Sequence, residues 1–196
     1  RSWMKTRRVE TPLHFLPGRN VLMRQPLGVV GIVASRVLRE FYRPTLILGG
    51  DHAVHAPVIE AFAGQKPVHI VHFDAHLDFV DERHGVRYGH GNPLRRASET
   101  GHVTGMTQLG IRNVSSSNRS DYEAARTFGS KILSVRDVRR LGRDGVLDLI
   151  PKGARYYVTI DIDGFDPSIA PGTGTPAATA TELGMEVALA CITPPS

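Results

Sequence analysis

Residues 68–78, VHIVHFDAHLD, contain a run of apolar and β-branched residues followed at once by Asp74, His76 and Asp78. The composition of residues 68–73 predicts a β-strand. Residues two apart in an extended segment point to the same side, so the three polar residues that follow can share one face. This stretch therefore predicts a buried strand whose carboxyl end carries acidic and imidazole groups.

The rest of the chain alternates between similar runs and helical patterns. Four further strands are predicted at residues 45–48, 107–111, 131–135 and 156–162. Apolar residues at helical spacing predict helices at residues 37–42, 54–63, 121–128 and 137–150. Strands that alternate with crossover helices form parallel sheets covered on both faces. We therefore predict the α/β class, a three-layer αβα architecture with a mostly parallel sheet, in a single domain over residues 1–196.

The composition is typical of a soluble globular protein, with 41% hydrophobic and 22% charged residues among 196. The longest charge-free stretches are too short or too rich in Gly, Pro and Thr to cross a bilayer, so we expect no membrane partner. The net charge is +5, but the basic residues are scattered. A basic group within residues 1–8 is interpreted as a solvated terminus, and no nucleic-acid partner is expected. A single cysteine, Cys191, cannot form an intrachain disulfide, which favours the cytoplasm.

Three of the predicted strands end in acidic or imidazole side chains. Ligands of open α/β sheets bind beyond the carboxyl ends of the strands, so these side chains are expected to converge. They are His52, Asp74, His76, Asp78, Asp161 and Asp163. An isolated Asp-X-Asp at a strand end usually forms a turn or a helix cap, but three such clusters together favour a metal site.

The charge of this cluster indicates which ions it would hold. Its four carboxylates carry −4, which balances two divalent cations, and without cations they would repel one another in a low dielectric. Carboxylates with a minority of imidazoles and no thiolate favour manganese or another hard first-row ion. Two such ions about 3.5–4 Å apart activate water at neutral pH. The cluster therefore predicts a hydrolytic two-metal site, with Mn²⁺ as the favoured ion.

Neighbouring polar residues have simpler interpretations. We expect Asp166, before Pro167, to form a turn, and Asp51 to cap a helix or to support a metal ligand. His69 and His72 lie inside a predicted strand, and we expect them to be packed or hydrogen-bonded.

The strand-end residues resemble, in order and spacing, the signature motifs of the ureohydrolases, the arginase and agmatinase family. The matching blocks are GGDH at 49–52, DAHLD at 74–78, DIDGFDP at 161–167 and PGTGTP at 171–176. The resemblance covers about residues 46–176. It implies an arginase-like fold, a small guanidino substrate, and hydrolysis to urea and an amine by a hydroxide that bridges two Mn²⁺ ions.

The resemblance also implies a role for each site residue. One ion would be held by His52, Asp74, Asp78 and Asp161, and the other by Asp74, His76, Asp161 and Asp163. The proton carrier would be His90, in HGNP at 90–93, and His84 on the same loop is the alternative. An imidazole suits this role because it can give and take a proton near neutral pH.

The substrate is less closely indicated. The loops at 79–88 and 112–118 would border its distal end, and the sequence HGNPL at 90–94 looks closest to the agmatinase branch. This favours an agmatine-like substrate. A guanidino acid is the alternative, and Arg87 or Arg112 would then bind its carboxylate, unless they are ordinary surface charges.

The chain departs from the family at both ends, and we expect it to be incomplete there. The family has a guanidinium-binding glutamate nine residues after the proline that matches Pro176, where this chain has Met185, with Glu182 and Glu186 nearby. Family members are usually oligomers, so a homo-oligomer is expected. Two alternatives stay open: an inactive truncated remnant that serves as a binding or assembly subunit, and a deacetylase-like metal hydrolase with a single zinc ion.

Overall fold

The computed structural model describes Ile47 and residues 51–113, 115–175 and 177. The predicted helix 37–42 and most of the predicted strand 45–48 lie outside these residues. So do the basic group within residues 1–8 and the residues Glu182, Met185, Glu186 and Cys191.

Four parallel strands form a sheet in this part of the chain: β1 (Val68–Phe73), β2 (Val103–Ile111), β3 (Ser130–Ser134) and β4 (Arg155–Ile160). Their order across the sheet is β3-β2-β1-β4, and each neighbouring pair is parallel. β1 lies between β2 and β4 and is buried along its whole length, as expected for a strand covered on both faces. The predicted mostly parallel sheet is confirmed.

Two strand boundaries differ from the prediction by more than one residue. β2 begins at Val103 rather than at residue 107. Thr104 and Gly105 interrupt the apolar pattern, but the pairing with β1 continues to Val103 across a register shift at Thr104. β4 ends at Ile160 rather than at residue 162. The Asp161 carboxylate there accepts the Asp163 N–H and caps a short 3₁₀-helix, which turns the chain at the acidic residues.

Four α-helices flank the sheet: α1 (His55–Glu60), α2 (Pro93–Ser98), α3 (Arg119–Phe128) and α4 (Val135–Leu147). α1, α3 and α4 confirm three of the predicted helices, although α1 ends at Glu60 rather than at residue 63. α4 begins with a capping box, in which Ser134 Oγ accepts the Asp137 N–H and the Asp137 carboxylate accepts the Ser134 N–H. The sequence analysis missed α2, because this short helix lies in a polar, glycine-bearing region. Pro93 fits its first turn, where an N–H would have no helical partner.

The side chains of β1 alternate between two hydrophobic clusters, one on each face of the sheet. Ile70 packs in a cluster with Leu94 of α2 and Ala125 of α3. Val71 packs in the other cluster with Val138 of α4. Helices therefore cover both faces, and the predicted three-layer architecture is confirmed. None of the helices described above has the length and hydropathy of a membrane span.

Candidate metal centre

The carboxyl ends of β1 and β4 lie side by side, and this brings two of the acidic motifs together. The Asp161 N–H donates to the Phe73 carbonyl at 2.8 Å, and the Asp74 N–H donates to the Leu109 carbonyl at 3.1 Å. Asp74 therefore follows β1 directly and lies between the ends of β2 and β4. This is the edge at which ligands bind in parallel sheets.

The first ligand group is the set of residues predicted to hold one ion: His52, Asp74, Asp78 and Asp161. His52 Nδ1 hydrogen-bonds the Asp78 carboxylate and lies 3.3 Å from Asp74 Oδ2 and 3.8 Å from Asp161 Oδ2. Three of the four side chains are buried, and that of Asp161 is 24% exposed. One imidazole nitrogen thus faces three carboxylates, which is a favourable place for a cation.

The second ligand group consists of Asp74, His76 and Asp163. His76 Nδ1 lies 3.1 Å from Asp163 Oδ2 and 3.4 Å from Asp74 Oδ1, and the three residues offer ligand atoms that lie within 4.8 Å of one another. Asp74 faces each group with a different oxygen. The structure therefore brings all six sequence-predicted ligands together around one shared carboxylate.

The carboxylates raise the pKa of both imidazoles. Burial of His52 opposes its protonation, but the hydrogen bond with Asp78 and the nearby carboxylate charges outweigh it and raise the pKa of His52 to about 9. The hydrogen bond with Asp163, together with that of Asp74, raises the pKa of His76 to about 10. In the metal-free chain both rings are therefore protonated at neutral pH, and each proton occupies a position where a divalent cation would bind.

In two of the carboxyl groups the surroundings disfavour the charged form. Burial raises the pKa of Asp78 and of Asp161, and the charge of Asp74 adds to the effect. Asp78 also has a φ of 51°, a left-handed conformation that costs energy in a residue other than glycine. Strain and poorly compensated charge in one residue are typical of a functional site rather than of a stabilising contact.

The second nitrogen of His52 is held by a chain of hydrogen bonds inside the protein. His52 Nε2 lies 3.0 Å from Thr159 Oγ1, which lies 2.9 Å from His55 Nε2. His55 Nδ1 in turn hydrogen-bonds the Tyr157 hydroxyl. Burial and the neighbouring imidazoles lower the pKa of His55 to about 2, so it stays uncharged. These hydrogen bonds hold the His52 ring with Nδ1 toward the carboxylates.

The second ligand group also has supporting contacts. His76 Nε2 lies 2.9 Å from the side-chain amide of Asn113, and the Thr175 hydroxyl donates to Asp163 Oδ2 at 2.6 Å. The sequence analysis did not identify Asn113, because nothing in its local pattern distinguishes it from a loop residue. Thr175 had one signal, its place in the PGTGTP block at 171–176.

The neighbouring polar residues behave as expected. The Asp51 carboxylate accepts the Ala53 N–H at 2.8 Å and caps the 3₁₀-helix His52–Val54. Asp166 forms a turn in which it accepts the Ser168 N–H at 3.0 Å. His69 is buried and hydrogen-bonded, with Nε2 at 2.9 Å from Thr107 Oγ1. His72 is buried as well, but it lies against Asp74, at 2.8 Å from Oδ2.

His90 and His84 lie on the loop between Asp78 and α2, and both are exposed. Asn92 closes the base of this loop, since its side-chain amide donates to the Val80 carbonyl at 2.7 Å. The role of His90 as proton carrier stays a prediction.

The Arg112 guanidinium, one of the two candidate partners for a substrate carboxylate, is engaged with the main chain. It donates to main-chain carbonyls, including those of Asp163 at 2.7 Å, Ala177 at 2.8 Å and Gly110 at 3.0 Å. It therefore ties the end of β2 to the turn that carries Asp163. Arg87 is an exposed surface charge paired with Asp81.

Comparison with known proteins places this architecture in a family. The profile of the Arginase family matches residues 21–186. Guanidinopropionase from Pseudomonas aeruginosa is 35% identical over 165 residues, or 77% of this chain and 52% of that protein. Proclavaminate amidinohydrolase from Streptomyces clavuligerus is 40% identical over 139 residues, or 67% of this chain and 44% of that protein.

Solved structures agree. The structure of proclavaminate amidinohydrolase has a TM-score of 0.72 at 34% identity, covering 84% of this chain and 56% of that one. Agmatine ureohydrolase of Thermoplasma volcanium has a TM-score of 0.72 at 28% identity, covering 83% of this chain and 54% of that one.

The chain belongs to the Arginase family, and its parallel sheet has the fold of the amidinohydrolase and ureohydrolase structures named above. It spans about half the length of the curated relatives it matches.

Proposed function

We propose that this protein hydrolyses the guanidino group of a small linear substrate to urea and an amine, with two Mn²⁺ ions as cofactors. The observation that carries the proposal is the position of Asp74, whose oxygens face His52 on one side and His76 on the other. The names of its relatives, guanidinopropionase and agmatine ureohydrolase among them, support the same class of substrate.

The donor set fits a pair of divalent cations. We assign one ion to His52, Asp74, Asp78 and Asp161, and the other to Asp74, His76, Asp161 and Asp163. Buried carboxylates this close together are costly without positive charge, and in the metal-free chain the two imidazole protons supply part of that charge. An oxygen-rich set with two imidazoles and no thiolate favours manganese over structural zinc.

When bound, the two ions would activate water and polarise the guanidinium carbon. The chain itself orients the ligands: Asp163 Oδ1 accepts the Ala75 N–H at 3.3 Å, and Asp74 Oδ1 accepts the His76 N–H at 2.7 Å. We assign to the His90 imidazole the transfer of a proton to the departing amine, because histidine exchanges protons near neutral pH.

Within this class we propose an agmatine-like substrate, with an amine at its distal end. The loops that would border that end are joined, since Arg83 donates to the Ser116 carbonyl. Arg112 is committed to main-chain carbonyls and Arg87 is paired with Asp81, so both candidate partners for a substrate carboxylate are engaged. Guanidinopropionate, guanidinobutyrate and arginine are the competing substrates.

The test is urea release from each of these four compounds by Mn²⁺-loaded protein, with chelator-treated protein as the control. We expect agmatine to give the highest kcat/KM. A preference for a guanidino acid would overturn the agmatine assignment alone. Failure of every guanidino compound with a protein that binds two equivalents of metal would overturn the hydrolase proposal.

We also propose that the protein acts in the cytoplasm as a homo-oligomer. The cytoplasm is supported by the single cysteine among 196 residues. The oligomer is supported by family resemblance, and light scattering on the purified protein tests it. A monomeric mass at micromolar concentration would contradict it.

A further inference from the structure

His72 is a buried imidazole beside the first ligand group, and neither metal ion is assigned to it. It is fully buried, and its ring stacks on that of His52 with centroids 5.3 Å apart. A ligand atom of His72 lies within 4.8 Å of ligand atoms of His52, Asp74 and Asp78. Distance alone would allow it to be a further metal ligand.

The neighbour on the next strand determines which nitrogen of His72 carries the proton. Gln108 lies opposite His72 in the β1–β2 ladder and is itself fully buried. Its Nε2 donates to the Leu77 carbonyl at 2.8 Å. A carbonyl oxygen can only accept, so the amide must present its NH₂ group, rather than its oxygen, on this side.

The same NH₂ group lies 3.2 Å from His72 Nδ1. Two donors cannot face each other, so Nδ1 must accept, and the imidazole proton must be on Nε2. His72 Nε2 lies 2.8 Å from Asp74 Oδ2 and donates to it. The orientation leaves Gln108 Oε1 without a hydrogen-bond partner among the described residues, so the side chain is placed for its NH₂ group.

Asp74 therefore receives one fixed hydrogen bond on each oxygen. Oδ2 accepts from His72, and Oδ1 accepts the His76 N–H at 2.7 Å. These two bonds set the rotation of the carboxylate and leave its other lone pairs toward His52 and His76. We propose that His72, held by Gln108 as the Nε2–H tautomer, is a positioning residue that orients the carboxylate shared by the two ligand groups. His72 is not itself a ligand.

The tautomer is tested directly by long-range ¹H–¹⁵N correlation spectra of the histidine rings, with the His72 signals assigned from the His72→Gln variant. We expect a protonated Nε2 and an unprotonated Nδ1, both without metal and with diamagnetic Zn²⁺. Loss of the Nε2 proton on metal addition, with coordination at that nitrogen, would overturn the proposal in favour of ligation. A proton on Nδ1 would overturn it as well.

The positioning role is tested by Mn²⁺ affinity, measured by titration calorimetry on the full chain. Loss of an outer-shell partner typically weakens metal binding about 10–100-fold, which is the effect we expect for His72→Leu. His72→Gln retains an N–H donor and should recover most of that loss. The matched control is His69→Leu, which removes a buried imidazole from the same strand and should leave the affinity unchanged.

Gln108→Leu is the second variant, and it keeps the test decisive if His72→Leu does not fold. We expect it to release the tautomer and to weaken Mn²⁺ binding in the same direction. Unchanged affinity in Gln108→Leu and His72→Leu would overturn the positioning role, as would a His72→Gln variant no better than His72→Leu. The consequence for metal binding rests on the proposed function, but neither readout uses urea release, so a protein that binds metal without turnover would contradict only the proposed function.

Discussion

Asp74 is the residue on which both ligand groups depend. Its side chain faces His52 and His76 with different oxygens, and its main-chain N–H is held by the Leu109 carbonyl. The main chain of Asp74 also sets the space available to the opposing turn. A Cβ built at Gly164 would lie 3.2 Å from the Asp74 nitrogen and 3.3 Å from its Cα, and backbone atoms cannot move aside as a flexible side chain can.

We therefore expect Gly164→Ala to destabilise the protein by about 1–3 kcal/mol, as overpacking of a tight contact does. The added methyl group should also displace the Asp74 main chain and thereby weaken Mn²⁺ binding. Urea unfolding and metal titration measure the two effects. Gly172→Ala is the matched control, because a Cβ there meets nothing within 4 Å. Equal stability of the two variants would contradict the close contact.

The imidazoles of His52 and His76 predict how stability depends on pH in the metal-free protein. Their pKa values rise from the unperturbed 6.5 to about 9 and about 10, so the folded state holds protons that the unfolded chain releases. This stabilisation is fully present below pH 6.5 and is lost as pH rises through 9 to 10.

In the presence of chelator, the urea concentration at the midpoint of unfolding should therefore decrease as the pH rises from 6.5 to 10. His76→Gln should show a smaller fall, because one of the two shifted groups is gone. A midpoint that stays constant over this range in the parent chain would contradict the proposed ionisation of the ligand groups.

At the level of elements, the site depends on the connection between the end of β2 and the turn after β4. Arg112 follows β2 directly and donates to the carbonyl of Asp163 at 2.7 Å and to that of Ala177 at 2.8 Å. A planar guanidinium presents several donors at once, which a lysine ammonium at the same place cannot do in the same geometry.

Arg112→Lys should accordingly destabilise the protein by about 2 kcal/mol, since each lost hydrogen bond to a charged group is worth about 1.5–3 kcal/mol and lysine retains part of them. Arg87→Lys is the control, because its exposed ion pair with Asp81 contributes little. Urea unfolding of both variants provides the comparison. If Arg112→Lys instead left stability intact and selectively raised KM for guanidino acids, Arg112 would be a substrate-binding residue after all.

At the level of the whole molecule, helices cover both faces of the sheet, and the negative charge of the predicted ligands is concentrated at its carboxyl edge. Two cations at this edge would offset the repulsion among its carboxylates. Metal binding and stability should therefore be linked, because the ligands come from segments as distant in sequence as His52 and Asp163.

We expect Mn²⁺ to raise the free energy of unfolding by about 2.7 kcal/mol when its free concentration is 100 times Kd. Asp163→Asn should remove part of this gain, since it takes a carboxylate from the second ligand group. Asp144→Asn, on the exposed side of α4, should retain all of it. Thermal unfolding with Mn²⁺ and with chelator measures the difference. A gain that Asp163→Asn leaves whole would exclude Asp163 from metal binding.

The sequence by itself predicted the elements and residues that local pattern specifies. β1 was predicted with its observed bounds, because its apolar run is buried on both faces. The six acidic and imidazole residues were identified because each follows a strand or a glycine turn, and parallel strands end at the same edge. α2 was missed, because a helix from Pro93 to Ser98 is too short to show a helical period.

The tertiary structure alone decided which partners hold those six residues. Thr159 and Asn113 support His52 and His76 from segments far away in the chain, and nothing in their local sequence marks them. The tautomer of His72 likewise depends on Gln108, which is brought opposite it only by the register of β1 and β2. Local composition sets which segments form strands, but hydrogen bonds between segments depend on register and packing, which only the folded chain determines.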